Sequence, residues 1–227
     1  MDIQLKHQPS YTVAVVKLEP RETIKAEGGA MVSYSDGITI ETKSEGGLLG
    51  GLKRMVGGES FFQNTFTAGN AGGEILFSPT LPGDMTTIEI SPNAPFMLQS
   101  GAFVAGESGV AYDTSWGGAK GFFGSGSLLL LKVTGQGTVL ASCFGAVESR
   151  ELRAGEHYTI DTGHIIGFDT TVQFSVKRVG GWKSTFLSGE GLVCEMTGPG
   201  RVLLQTRNEQ AFMSWIIARV PKSSSNS

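Results

Sequence analysis

Three histidines are the residues of this 227-residue chain best suited to metal binding or acid–base chemistry, and they are widely spaced. A cupin-type metal site needs two histidines two residues apart, a nearby glutamate and a later third histidine. His7 lies near the start of the sequence, His157 follows Glu156, and His164 comes seven residues later. Because this spacing does not match, we expect no metal and no other cofactor.

Nucleophiles and carboxylates also lack a catalytic pattern. The sequence has no Gly-x-Ser-x-Gly elbow, and the glycine and serine residues at 124–129 lead into a strand pattern instead of a helix. The carboxylates lie in or beside turns, where they can cap backbone amides; they include Asp36, Asp84, Asp113, Asp161 and Asp169. We expect a protein that is not an enzyme. The alternative is a small-ligand-binding protein or a cupin-like enzyme with a pocket inside a β-roll.

The glycine-rich stretch at residues 46–62, GGLLGGLKRMVGGESFF, resembles a phosphate-binding loop. A P-loop requires glycine, four residues and then Gly-Lys followed by Ser or Thr. Here Leu52 follows Gly51, and Arg54 follows Lys53, so the motif fails. We interpret the stretch as a long apolar hairpin.

The composition favours a fold of many short strands, and the cysteines and the first residues favour a reducing compartment. The chain has 33 glycines and only 17% charged residues, and its formal net charge of −3 offers no field that would attract polyanions. Cys143 and Cys194 lie in strand-like contexts and are expected to be buried thiols. The first residues lack the basic and apolar regions of a secretory signal. We therefore expect a cytoplasmic protein, peripheral to a membrane if it binds one.

Glycines recur at constant offsets along the chain, which indicates an internal repeat. Corner glycines are 62 residues apart, while hairpin and turn glycines are each 63 apart; the pairs are Gly101 and Gly163, Gly118 and Gly181, and Gly135 and Gly198. An earlier copy has its corner at Gly29. We infer three tandem β units, at about 11–80, 86–146 and 147–207, within one globular unit spanning 1–220.

The sequence predicts an all-β fold with a short C-terminal helix. Residues 171–176 alternate so that Val172, Phe174 and Val176 share a face, which is typical of antiparallel sheets in a sandwich or a double-stranded β-helix-like roll. After the third unit, Asn208 can cap a helix over residues 209–218, and Pro221 ends it. The polar residues 221–227 are expected to be a disordered tail.

Three features together resemble the family named for altered inheritance of mitochondria. They are the double-glycine hairpin with Lys53, Arg54 and the Gly-Glu-Ser-Phe-Phe end, the stretch DTGHIIGF at 161–168, and the terminal helix. The resemblance covers residues 2–220. It implies a fold similar to the tryptophan RNA-binding attenuation protein, repeated within one chain, and it implies no catalytic residues.

Large apolar side chains beside flexible glycines mark the hairpins as candidate contact elements. The candidates are Leu48, Leu49, Leu52, Lys53, Arg54, Phe61, Phe62, Phe122, Phe123 and Trp182. They either cover the end of the barrel or pack against a neighbouring subunit, or they form an exposed rim that touches a protein partner or a membrane surface. Because the copies share no repeated Lys/Arg pattern, we expect no nucleic-acid binding. The leading hypothesis is an assembly or scaffold module that forms homo-oligomers.

Overall fold

The computed structural model describes residues 1–43, 63–113, 128–178 and 192–221, and in these ranges the fold is all-β with one short C-terminal helix, as predicted. The strands are β1 Asp2–Lys6, β2 Val13–Leu18, β3 Thr23–Glu27, β4 Met31–Tyr34, β5 Ile38–Lys43, β6 Gln63–Ala68, β7 Gly73–Phe77, β8 Met85–Ile90, β9 Phe96–Gln99, β10 Phe103–Glu107, β11 Val110–Asp113, β12 Leu130–Gly135, β13 Gly137–Ser142, β14 Val147–Leu152, β15 His157–Asp161, β16 Ile165–Asp169, β17 Gln173–Arg178, β18 Leu192–Thr197 and β19 Gly200–Gln205. Helix α1 spans Glu209–Ile217.

Alternation of apolar and polar residues explains why these segments form half-buried strands. Val172 is buried, and Phe174 and Val176 are half-buried, whereas Gln173 and Ser175 between them are exposed. Successive side chains of a strand point to opposite faces, so this pattern buries one face of the sheet and leaves the other in water. The predicted alternation at this position is confirmed.

Of the strands in the described residues, β2–β19 fall into three groups of six with the same antiparallel pairing, and β1 pairs with β2 outside these groups. We call them unit 1 (residues 13–77, β2–β7), unit 2 (residues 85–142, β8–β13) and unit 3 (residues 147–205, β14–β19). In each unit the sixth strand lies between the first and the third, and the fifth lies between the second and the fourth. Each unit therefore contributes two three-stranded ladders.

Neighbouring units are joined by backbone pairing at two seams. The second strand of unit 1, β3, pairs with the third strand of unit 2, β10, and β9 of unit 2 pairs with β16 of unit 3 in the same way. These seams produce two six-stranded sheets, β5-β6-β3-β10-β13-β8 and β11-β12-β9-β16-β19-β14. The remaining sheets of the described chain are β1-β2-β7-β4 and β15-β18-β17.

The three corner glycines lie between the second and third strands of their units. Gly101 and Gly163 are in the 3-10 turns Ser100–Ala102 and Thr162–His164. Gly29 is in the turn before β4 and has a φ of 94°, a conformation that a residue with a Cβ adopts only under strain. Each corner redirects the chain from one ladder of the unit to the other.

Three apolar cores fill the units, and each receives side chains from a neighbouring unit. Phe66 and Phe77 meet edge to face in the first core, with ring centroids 5.5 Å apart. Val104 of unit 2 is buried in that core, and Ile166 of unit 3 is buried in the core of unit 2. The units therefore share both sheets and cores.

Candidate interaction surface

The hairpin residues predicted to make contacts lie outside the residues that the structure describes. They are Leu48, Leu49, Leu52, Lys53, Arg54, Phe61, Phe62, Phe122, Phe123 and Trp182. One exposed apolar surface that the structure does describe is formed by α1 and the loops beside it. We call this the α1 surface, defined by Tyr11, Phe144, Phe212, Met213, Trp215, Ile217 and Val220.

Helix α1 begins where the sequence predicted. The side chain of Asn208 accepts a hydrogen bond of 3.0 Å from the backbone N–H of Ala211, which satisfies one of the free donors of the first turn. Glu209 in that turn complements the positive end of the helix dipole. The helix ends at Ile217, one residue before the predicted boundary.

The start of α1 is tied to the corner of unit 3. Asp161 accepts a hydrogen bond of 2.7 Å from the N–H of Gly163, and the side-chain amide of Asn208 donates to the same carboxylate at 3.4 Å. A Cβ on Gly163 would overlap the side-chain amide of Asn208. A larger residue here would therefore have to displace the helix cap.

Gln205 holds the loops on which α1 rests. Its side-chain oxygen accepts a hydrogen bond of 2.9 Å from the N–H of Phe144, and its amide nitrogen donates to the carbonyl of Gly163 at 2.9 Å. The ring of Phe144 then packs against Phe212 of α1, with centroids 5.2 Å apart. These contacts position α1 beside units 2 and 3.

Most apolar side chains of α1 are left in solvent. Trp215 is 55% exposed, Ile217 65% and Val220 58%, and no residue of α1 is buried. Phe212 stacks on Trp215 at 6.5 Å, and the guanidinium of Arg219 lies 4.1 Å from the centre of the Trp215 ring. The exposure was missed at the sequence level, although the run AFMSWIIARV has more apolar residues than one face of a helix can bury, which could have signalled it.

A cleft of about 600 Å³ lies beside the helix. Its lining includes Tyr11, Phe144, His164, Arg207, Phe212 and Trp215. The Nδ1 atom of His164 lies 2.7 Å from the carbonyl oxygen of Gln205, so this nitrogen carries a proton and donates it. The cleft thus combines aromatic walls with one imidazole and one guanidinium.

His157 and the turn carboxylate Asp36 have local structural partners. His157 opens β15, and its Nδ1 is 3.0 Å from the Thr197 hydroxyl. His7 precedes β2 and has a φ of 64°. Asp36 accepts from the N–H of Gly37, as predicted for a turn carboxylate. In the described ranges, no group of three or more His, Cys, Asp and Glu side chains is arranged to hold a metal ion.

Asp84 is a buried carboxylate that ties the N-terminal segment to unit 2. It accepts hydrogen bonds from the Thr12 hydroxyl at 2.7 Å, from the Gln8 amide at 3.1 Å and from the N–H of Met85 at 2.8 Å. Asp169 accepts from the N–H of Arg201 at 2.8 Å and so joins β16 to β19. Both carboxylates therefore hold neighbouring segments of the chain together.

Both cysteines are buried and free, as the sequence predicted. Burial raises the pKa of the Cys143 thiol to about 11, against its ordinary 9.0. Burial likewise raises the pKa of Cys194 to about 12. Desolvation disfavours the thiolate, so both sulfurs are protonated and poor nucleophiles at neutral pH.

The fold and the surface define an all-β protein of three six-stranded units with an exposed C-terminal helix. The family model for mitochondrial biogenesis AIM24 matches residues 3–207, and the chain therefore belongs to that family. Over 233 residues it is 26% identical to an uncharacterised protein of Streptococcus pyogenes serotype M6, covering 99% of this chain and 93% of that protein. It is also similar to the X-ray crystal structure of a Streptococcus pyogenes protein, with a TM-score of 0.80, 25% identity and coverage of 96% and 99% of the two chains.

A search of the described residues for membrane-spanning helices finds no helix with the required length and apolar character.

Proposed function

We propose that this protein is a non-enzymatic interaction module that binds another protein through the α1 surface. The observation that carries the proposal is the exposure of Trp215 and Ile217 on a helix that is itself capped and anchored, together with that of Val220 in the turn after it. Exposing several large apolar side chains together is unfavourable in water, and such patches mark interaction sites in soluble proteins. We further propose a cytoplasmic location, which the two buried free thiols support.

The composition and shape of the α1 surface favour a protein partner over a membrane. Tryptophan, phenylalanine, methionine and arginine are the residues enriched at the centres of protein interfaces, and α1 with its following turn contains all four. The cleft beside α1 is concave, so a protruding side chain of a partner can fill it. A flat lipid surface would leave this concave surface uncovered.

The test uses a photo-crosslinking amino acid at position 217 of the full chain in living cells. We expect one discrete protein adduct, which disappears when Trp215→Ser is added, because tryptophan anchors carry much of the binding energy of an interface. The adduct partner is then identified and purified. Its affinity for the chain should fall on the order of tenfold or more in the Trp215→Ser variant.

The matched control places the same crosslinker at position 39, an exposed residue of β5. Equal adducts at both positions, or unchanged affinity of the purified partner for the Trp215→Ser variant, would contradict the proposal. Flotation with liposomes that depends on Trp215 would instead assign the α1 surface to a membrane.

The cleft supports a second candidate function, the binding of a small aromatic anion. Arg207 supplies a positive charge, and Phe144 and Trp215 supply ring faces. The probe is anilinonaphthalene sulfonate, whose fluorescence reports binding to apolar sites. If the cleft binds aromatic anions, Arg207→Gln weakens probe binding while Arg150→Gln, at a charge outside the cleft, does not. Equal binding by both variants would contradict this role.

A further inference from the structure

The units pair with one another in the same way at both seams, and one strand at each end of the series has no partner of this kind within the described chain. At both seams the second strand of a unit pairs with the third strand of the following unit. The third strand of unit 1, β4, ends the first sheet, and the second strand of unit 3, β15, ends the last. These two strands do not pair with each other within the chain. They are the strands that the rule would join between two copies.

A β-bulge occurs at the same place in the third strand of every unit. The register shifts between Met31 and Ser33 in β4, between Phe103 and Ala105 in β10, and between Ile165 and Gly167 in β16. The bulged residues are therefore Val32, Val104 and Ile166. A bulge redirects a side chain out of the regular pleat, and at the two seams it directs an apolar side chain towards the preceding unit.

The three bulged residues differ sharply in burial. Val104 and Ile166 are each 1% exposed, because they are inserted into the cores of the preceding units. Val32 lies in the first unit of the described chain and is 55% exposed. Val32 is therefore an apolar side chain at the core-inserting position, but it is not inserted into a core as Val104 and Ile166 are.

The backbone groups of the two open edges match in register. Across β4 and β7 the N–H of Ser35 donates to Glu74, and across β15 and β18 the carbonyl of Glu156 accepts from Gly198. In an antiparallel ladder, alternate residues direct their N–H and C=O to opposite sides. The backbone groups of Tyr34 and Thr159 therefore face outward.

Tyr34 and Thr159 are the equivalents of residues that already pair at the seams. The bulge registers align Tyr34 with Gly106 and Phe168. Thr159 is the equivalent of Lys25 and Met97, because each of the three lies four residues before the corner glycine of its unit. Gly106 pairs with Lys25, and Phe168 pairs with Met97. An antiparallel pair of Tyr34 with Thr159 would continue this register.

We infer that a second copy of this chain docks head to tail, with β4 of one copy pairing with the partner's β15. Tyr34 lies opposite the partner's Thr159, Ser33 lies opposite the partner's Ile160, and Val32 enters the core of the partner's unit 3. The contact uses residues other than those of the α1 surface and does not depend on the proposed function. Because the two edges differ, the contact is heterologous and produces a ring or an open filament.

The other open sheet edges lack this precedent. Within the described residues, the fourth strands β5, β11 and β17 each end a sheet, and no unit there shows a partner for them. The first strands β8 and β14 also end sheets, and their equivalent β2 is covered by β1 of the same chain. Only β4 and β15 have equivalents that pair between units.

The test blocks one edge at a time in the full-length chain. Val32→Asp places a charge in the core-inserting position, and the exposed site tolerates it in the free chain. Thr159→Pro removes an N–H that faces away from β18, so the internal ladder is kept. Mass is measured by light scattering after gel filtration over a range of concentrations, and circular dichroism checks folding.

We expect the unaltered chain to form species heavier than 24.0 kDa and each variant alone to be a monomer. An equimolar mixture of the two variants should form a dimer, because one retains a free β15 edge and the other a free β4 edge. The control is Ile217→Asp, which alters an exposed apolar residue of α1 and should assemble like the unaltered chain.

A folded mixture that stays monomeric would overturn the inference, as would an unaltered chain that stays monomeric at every concentration. If Thr159→Pro does not fold, Val32→Asp is titrated into the unaltered chain. The variant should lower the assembled mass, because its β15 occupies the β4 edge of an unaltered copy while its own β4 cannot bind a further copy. An unchanged mass in that titration would also overturn the inference.

Discussion

At the scale of single residues, buried polar and sulfur groups stabilise the fold without forming a reactive site. Asp84 accepts three hydrogen bonds from residues of the N-terminal segment and from Met85. Cys143 and Cys194 are held in the protonated form by burial. Asp84 and the two cysteines therefore have structural roles in the described chain.

The thiols give a prediction with a defined pH dependence. At about pH 8 neither cysteine should react with dithionitrobenzoate until the protein is unfolded, because only the thiolate attacks the reagent. A raised pKa means that the folded state keeps a proton that the unfolded state loses. Stability is therefore unaffected below pH 9 and falls as the pH rises from 9 towards about 11. Rapid labelling of the folded chain at neutral pH would contradict the burial.

Removing the Asp84 carboxylate should destabilise the chain. Asp84→Ala leaves the Thr12 hydroxyl and the N–H of Met85 without their acceptor, and we expect a loss of about 2–3 kcal/mol in the free energy of urea unfolding. Asp36→Ala is the control, since Asp36 is exposed and accepts one local bond. Its cost should be about 0.5 kcal/mol or less. Equal losses of unfolding free energy for Asp84→Ala and Asp36→Ala would contradict the stabilising role of the buried Asp84 carboxylate.

At the scale of elements, α1 depends on a contact between its cap and the corner of unit 3. The corners of units 2 and 3 have the same 3-10 geometry, but only Gly163 faces Asn208. A Cβ on Gly101 would meet the Gln99 side chain at 3.4 Å or more, which is an ordinary contact. Of these two glycines in equivalent turns, only Gly163 makes a close approach that an added Cβ would disturb.

Gly163→Ala should displace Asn208 and cost about 1 kcal/mol, the typical value of a helix N-cap. Gly101→Ala is the matched control and should be close to neutral. Because Gly163→Ala acts through Asn208, its effect should largely vanish in a chain that already carries Asn208→Ala. Urea unfolding followed by tryptophan fluorescence measures all four chains. Fully additive costs would show that Gly163 acts elsewhere.

The sequence predicted local features of the fold better than its contacts. Alternation around Phe174 and the cap at Asn208 are encoded in neighbouring residues, and the structure shows both. The seams join β3 to β10 and β9 to β16 across about seventy to eighty positions, and no local pattern specifies such pairings. The exposure of α1 also depends on what packs against it. The predicted hairpin contacts lie outside the described residues and remain predictions.

At the scale of the whole molecule, the units share cores, so they should unfold together. Ile166 belongs to unit 3 but is buried among unit 2 residues such as Phe103. Loss of this side chain weakens both units at once. We expect Ile166→Ala to cost about 2–5 kcal/mol, the usual range for removing a buried isoleucine. Circular dichroism and tryptophan fluorescence should still report one coincident transition.

The equivalent substitution in unit 1, Val32→Ala, is the control for this prediction and also tests the proposed assembly. At a concentration where the chain is monomeric, Val32→Ala should change the free energy of unfolding by about 0.5 kcal/mol or less, because the side chain is 55% exposed. When assembly is restored by raising the concentration, the same substitution should become destabilising, since Val32 then fills a partner's core. A cost for Val32→Ala that is large and independent of concentration would place Val32 in a core of its own chain. Val32 would then be buried within its own chain like Val104 and Ile166, and the exposed bulge residue on which the proposed contact depends would not exist.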